Sequence, residues 1–167
     1  LPESQLASIE IVNIFEPGDG GTLRFTETSF EVGDCLVNGE KTNLAAYVKA
    51  KGLDHGQLPL VGDFGGAHIS ASIQSVDGAA GKVVLYAPVF TGVDYHFAKP
   101  VADYGASFRE RLAGYPTDGV GFSCNCILNF LFGGLEGQKI GDLYGPVTFG
   151  EIGYQLLNQT LVVLRIQ

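Results

Sequence analysis

The chain is poor in positive charge and poor in charge altogether. Ten Lys and Arg stand against eighteen Asp and Glu, a formal net charge of −8. No Lys/Arg cluster relieves that imbalance, so a nucleic-acid surface or an anionic-membrane patch is not expected; both are held through cationic side chains. Long apolar runs are missing too. The longest apolar patch, Cys126 to Leu135, is broken by Asn129 and Gly133-Gly134, well short of the ~20 residues that span a bilayer as a helix. No signal-peptide pattern opens the sequence. Cysteine is sparse. Cys35, Cys124 and Cys126 are odd in number, and a lone C-x-C makes neither a disulfide framework nor the paired spacing of a zinc site. The cysteines are read as reduced and the compartment as cytoplasmic. A phosphate loop is also absent: Gly62-Asp63-Phe64-Gly65-Gly66 is glycine-rich, but no Lys follows it.

What is present suits one domain. The 167 residues are enough to enclose a proper core, and the 24 glycines point to many turns and hence a strand-rich fold. Residues Ser8 to Phe15 read as a first strand, and Thr22 to Thr26 as a half-buried one. Asn38-Gly39 signals a tight turn. Thr42 or Asn43 then caps a short helix with Leu44, Tyr47 and Val48 on one face and Gly52 as its stop. Ala67 to Ser75 alternates cleanly, Lys82 to Phe90 returns, and Val93 to Phe97 alternates again, which predicts a three-stranded antiparallel meander. Asp103 caps a predicted helix through Leu112. Gly119 to Cys124 reads as a buried strand, and Ser123 as the cap of a helix over Asn125 to Leu131 with Ile127, Phe130 and Leu131 inward. Gln159 to Ile166 closes as an apolar strand, with Leu161 to Leu164 as its apolar stretch. The expected fold is α+β: a mainly antiparallel sheet with a few short helices, in a single domain over residues 1–167.

Two stretches can carry chemistry. In Gly145 to Thr160, one acid, Glu151, sits among Phe149, Ile152 and Tyr154, with Thr148, Asn158 and Thr160 nearby. A carboxylate buried there without partners is costly. Either it faces water, or the hydroxyls and the amide satisfy it. The segment is then a structural polar cluster or one wall of a small-molecule pocket, and Gly150 and Gly153 let a ligand or backbone approach closely. The second stretch is Gly121-Phe122-Ser123-Cys124-Asn125-Cys126. If a helix starts after Ser123, its free N–H groups favour an anion and lower the pKa of Cys124. The plainer reading makes both cysteines small buried packing residues. His55, His68 and His96 are dispersed and form no metal-binding pattern, so neither metal nor cofactor is expected.

The Gly145 to Ile152 motif, followed by Asn158-Gln159-Thr160 and an apolar strand, resembles the end of the FIST domain, specifically its C-terminal half. Ser123-Cys124 matches that family's upstream Ser/Ala-Cys motif. Ile127 stands where the family often has Arg, and Pro146 where an aromatic residue is usual. The resemblance implies a sensory module of bacterial signalling proteins that binds a small ligand, with amino acids as proposed ligands. It implies Ser123, Cys124, Thr148, Gly150, Glu151, Asn158 and Thr160 as ligand residues, and with Asn125 beside Cys124 these make the expected ligand set. A signalling partner protein or self-association is then needed to pass the signal on. Two rival readings remain: a cysteine enzyme with Cys124 as nucleophile, His68 or His96 as base and Glu151 as acid/base, and a structural or protein-interaction domain.

Overall fold

The computed structural model describes residues 6–54, 56–138, 142–149, 151–153 and 155–166, with Glu151 and Ile152 described by their backbone alone. These residues form an α+β fold of mostly antiparallel strands and short helices, as the sequence predicts. In chain order the elements begin with β1 (Ala7–Asn13), β2 (Leu23–Arg24), β3 (Ser29–Val32), β4 (Asp34–Val37), β5 (Glu40–Asn43) and α1 (Leu44–Ala50). Next come β6 (Leu60–Asp63), β7 (His68–Ala71), β8 (Ile73–Asp77), β9 (Lys82–Val89), β10 (Tyr95–Phe97) and α2 (Tyr104–Leu112). The last are β11 (Val120–Cys126), α3 (Ile127–Phe132), β12 (Val147–Thr148), β13 (Glu151–Gly153), β14 (Gln155–Leu157) and β15 (Thr160–Ile166). The chain divides into two compact units, residues 15–100 and residues 1–14 with 101–167.

Residues 15–100 hold a six-stranded sheet, β5-β4-β2-β10-β6-β7, and a three-stranded sheet, β3-β9-β8. Asn38 (φ 51°) and Gly39 (φ 87°) turn β4 into β5. Both central residues of this turn need positive φ, which Asn and Gly tolerate best. Asn43 caps α1, its side chain accepting from Ala46 N at 3.1 Å. Leu44, Ala45 and Val48 are the buried face of that helix.

The alternating stretch Ala67 to Ser75 is not one strand. β7 pairs with β6, while β8 pairs with β9. Between them the buried Ser72 accepts at its carbonyl from Tyr86 N, at 2.9 Å. The chain thus leaves one sheet for the other at Ser72. The predicted meander shrinks to the β8-β9 hairpin for a related reason. β10 lies between β2 and β6 in the larger sheet. There the Tyr95 ring is buried edge-on against Phe25 and Phe64, and its hydroxyl accepts from Phe90 N at 3.0 Å. The ring gains apolar burial while its polar tip keeps a partner.

Residues 1–14 and 101–167 form a four-stranded sheet in the order β1-β15-β11-β12. The first two pairings are antiparallel; β12 is parallel to β11. One face carries Val12, Leu161 and Val163, which form a buried core with Leu135 and with Phe108 and Leu112 of α2. Burial of each such side chain contributes roughly 1.5–3 kcal/mol. Asp103 caps α2 by accepting from Ala106 N at 2.8 Å, as the sequence predicts. On the same face Arg165 Nε donates to Glu10 Oε1 at 2.8 Å, and the Tyr115 hydroxyl donates to the other carboxylate oxygen. The β13-β14 hairpin packs on the opposite face, where a Cβ placed on Gly153 would lie 3.6 Å from both Ile9 and Ile11.

One predicted boundary is corrected. β11 does not end at Cys124, nor does Ser123 cap a helix: the strand runs through Cys126. Asn125 and Cys126 pair with Val147 and Thr148 of β12, and Asn125 N donates to Pro146 O at 3.0 Å. Backbone partners from some twenty residues downstream hold the strand extended. α3 therefore begins only at Ile127, spans 6 residues, and has no side-chain cap. Its buried positions are Leu128 and Asn129, whereas Leu131, expected inward, is 61 % exposed.

Candidate functional site

Side chains alternate along β11, so Ser123 and Asn125 share one face of the sheet and Cys124 and Cys126 the other. Ser123 is buried, and its Oγ donates to Tyr144 O at 2.7 Å. That bond ties the segment before β12 down onto β11. Gly145 comes so close that a Cβ on it would stand 1.7 Å from Ser123 O. The φ of Gly145 is not in the left-handed region; close approach, not backbone conformation, demands glycine there.

On this face lies a partly open pocket of about 300 Å³. Phe108, Phe130, Leu135, Leu143 and Leu161 make its apolar walls; Ser123, Asn125 and Gln138 are its polar lining, with Tyr144, Gly145 and Val147 completing it. Gln138 is already engaged at both ends. Its Oε1 accepts from Arg109 at 3.1 Å, and its Nε2 donates to Gly134 O at 2.9 Å. No cationic side chain lines the pocket among the described residues.

Behind Asn125 runs a chain of hydrogen bonds. Gln159 Nε2 donates to the Tyr104 hydroxyl at 3.2 Å, and that hydroxyl donates to Asn129 Oδ1 at 2.5 Å. Asn129 Nδ2 in turn donates to Asn125 Oδ1 at 2.9 Å. Asn129 and Gln159 are wholly buried, and burial pushes the Tyr104 phenol well above its ordinary pKa, so the hydroxyl stays protonated and able to donate. α2 reaches α3 because Gly105 lacks a Cβ, which would sit 2.6 Å from Gly133 O. Gln159 adopts φ 50°, a conformation that costs a side chain roughly 1–2 kcal/mol. Asn158 and Thr160 beside it are wholly buried too, and Asn158 Nδ2 donates to Leu157 O at 3.1 Å.

The residues singled out in the sequence are thus placed as follows. Ser123 and Asn125 line the pocket. Asn158 and Thr160 flank the residue that starts the hydrogen-bond chain to Asn125. Cys124 and Thr148 meet on the opposite face, Sγ to Oγ1 at 3.3 Å. Gly150 and the Glu151 side chain lie outside the described residues, as does His55. Tyr104, Asn129 and Gln159 were missed. Two of them left a trace: Asn129 interrupts the longest apolar patch, and Gln159 stands between two residues already marked. Tyr104 left none.

The remaining titratable candidates are not among the residues that line this pocket. Cys126 is buried, and Cys35, in residues 15–100, is buried with its thiol pushed up to about 11 by desolvation. His68 and His96 lie on β7 and β10 with β6 between them, about two strand spacings or ~9–10 Å apart laterally. His96 Nε2 is 3.4 Å from Thr22 Oγ1, while its Nδ1 is buried without a partner. Among the described residues, no three His, Cys, Asp or Glu side chains are grouped to hold a metal ion. Among them, too, no helix is long and apolar enough to cross a membrane.

Comparison with known proteins gives one match, a family model described as a family of unknown function (DUF6976), which covers residues 1–167. No curated protein and no solved structure matches the chain significantly.

Proposed function

The chain belongs to the DUF6976 family, and we propose that it is a small-molecule-binding module whose site is the pocket beside Ser123 and Asn125. One observation carries the reading: apolar walls around about 300 Å³, with Ser123 and Asn125 converging on them from one strand. That combination of a largely apolar concavity with a few fixed polar groups is what small-ligand sites are built from. The buried chain ending on Asn125 supports it further. Polar groups hydrogen-bonded in series hold one another rigid, and a rigid polar group is what orients a ligand.

On this reading the protein works as a sensory or signalling module in the cytoplasm, with no nucleic-acid or membrane partner. A distant relationship to the C-terminal half of FIST domains is part of the same proposal and is supported by sequence motifs alone, Gly145 to Ile152 with Asn158 to Thr160, and Ser123-Cys124 upstream. The set to be tested runs from amino acids, the ligands the FIST resemblance implies, to uncharged small metabolites such as amides, esters and ketones. The test is a thermal-shift and calorimetric screen of that set on the full chain, repeated on Val147→Trp, which would fill the pocket from its partly exposed rim. The expected result is a stabilising ligand whose effect Val147→Trp removes. No shift across the set, or a shift indifferent to Val147→Trp, overturns the proposal.

A second reading has its own observation. Tyr144 is 72 % exposed and Phe149 91 %, flanking Val147 of β12, a strand at the sheet's edge. Apolar surface at a sheet edge suits a protein partner or a second copy. Light scattering on the wild type and on Tyr144→Ser/Phe149→Ser tests it; a monomer in both, with no change in behaviour, removes this reading.

A further inference from the structure

We propose that the pocket selects ligands by an uncharged hydrogen-bond acceptor, such as the oxygen of a ketone, amide or ester carbonyl, received by the Nδ2 group of Asn125. The inference rests on the binding function proposed above and adds the polarity of its anchor.

The argument follows the protons. A phenol has one proton to donate, and that of Tyr104 goes to Asn129 Oδ1. This orients the Asn129 amide, with oxygen toward Tyr104 and Nδ2 toward Asn125. Asn129 Nδ2 donates to Asn125 Oδ1, so the Asn125 amide is oriented in turn. Its oxygen is turned to the protein, and its Nδ2 remains as the donor on a residue that lines the pocket. Among the described residues that Nδ2 has no protein acceptor. Gln159 stands at the far end, where its Nε2 donates to the same phenol. Asn125 is therefore the specificity-determining residue, and Asn129, Tyr104 and Gln159 are positioning residues that act through it.

The other polar groups narrow the ligand class. Ser123 spends its proton on Tyr144 O, and Gln138 spends one of its two amide protons on Gly134 O. Asn125 is thus the lining side chain, among the described residues, whose amide protons are both left for a guest. A carboxylate would enter walls of Phe108, Phe130 and Leu161 with no cation among the described lining residues, losing hydration that one amide N–H cannot replace. A neutral carbonyl on an apolar body loses far less and gains the one bond on offer.

Four one-ring probes test this on the full chain by calorimetry and by 1H–15N spectra of side-chain amides. They are acetophenone (acceptor), ethylbenzene (no polar group), indole (donor) and benzoate (charged acceptor). Acetophenone should bind about fivefold to tenfold tighter than ethylbenzene, the span one neutral hydrogen bond supplies. It should also shift the Asn125 NH2 resonances, which ethylbenzene leaves in place. Indole and benzoate should bind no better than ethylbenzene. In Asn125→Leu and in Tyr104→Phe the acetophenone preference should fall toward one while ethylbenzene still binds, a change of ratio that lost stability alone would not produce. Equal binding of acetophenone and ethylbenzene, a preference for indole or benzoate, or an unchanged preference in Asn125→Leu overturns the polarity and leaves the pocket function standing. No binding of any probe overturns both.

Discussion

Gly145 is packed against the carbonyl of Ser123 so tightly that a methyl group in place of its hydrogen would stand 1.7 Å from that oxygen. The contact is backbone on backbone, so no side chain can swing away to relieve it. Gly145→Ala should therefore destabilise the protein by about 3 kcal/mol, the upper end of overpacking costs, and should pull the 144–147 segment off β11. Gly20→Ala is the control. Nothing stands within 4 Å of a Cβ there, and φ is not in the left-handed region, so its urea midpoint should stay within the equivalent of ~0.5 kcal/mol. Similar midpoints for the two variants would disprove the close approach.

The acid limb of stability should report Glu10. Its carboxyl is held below the ordinary value of 4.5, first by the hydrogen bond from Arg165 and next by that from Tyr115. A carboxyl depressed in the folded state contributes stability that is full above its unfolded pKa. That contribution is lost as pH falls through the lower folded value. Urea midpoints should thus decline below about pH 4.5, and Glu10→Gln should flatten that part of the profile while lowering the plateau above it. An unaltered slope in Glu10→Gln would assign acid sensitivity to other groups.

Two helix caps that look alike in sequence should differ in weight. Asp103 makes one capping bond, to Ala106 N, and Asp103→Ala should cost about 1 kcal/mol. Asn43 caps α1 through its oxygen and also donates through Nδ2 to Gly33 O at 3.1 Å and Gly81 O at 2.7 Å. With those bonds added, Asn43→Ala should cost about 2–3 kcal/mol. Chemical denaturation of the two variants gives the comparison; equal losses would mean that the Nδ2 bonds contribute nothing net.

Thiol reactivity should rank with burial. Cys35 is buried with its thiol pushed up to about 11, Cys126 is fully buried, and Cys124 is half-buried beside Thr148. At pH 8 only about one in a thousand Cys35 thiols would be ionised. Iodoacetamide on the native chain should therefore modify Cys124 first, and all three only in urea. Peptide mass mapping over time reads this out, and early modification of Cys35 would contradict its burial.

Several elements were legible because their determinants lie within a few residues. Asn38-Gly39 turns β4 into β5 through its own φ angles, and Asn43 and Asp103 cap helices by reaching three residues ahead. The stretch around Ser123 was misread for the opposite reason. A serine before an apolar run has the local pattern of a helix cap, but Ser123 Oγ finds Tyr144 O, and Asn125 N finds Pro146 O. Those partners lie some twenty residues away and hold the chain extended. The candidate site was legible in part. Asn158 and Thr160 stood out as polar residues before an apolar strand; Ser123 and Asn125 stood out too, but as the cap and first residue of a helix rather than as neighbours on one face of a strand. Nothing in the spacing of Tyr104, Asn129 and Gln159 says that they hydrogen-bond in series.

The amino-acid sequence alone determined the Asn38-Gly39 turn, where α1 and α2 begin, and that the chain mixes helices with mainly antiparallel strands. Those outcomes depend on φ preferences, short-range hydrogen bonds and alternation. Only the tertiary structure decided that β7 and β8 part company at Ser72, that β11 continues to Cys126, and that an amide at 125 is oriented by a glutamine at 159. Each of these depends on which distant backbone or side-chain group arrives to complete a hydrogen bond, and buried polar groups leave few alternatives once they are enclosed.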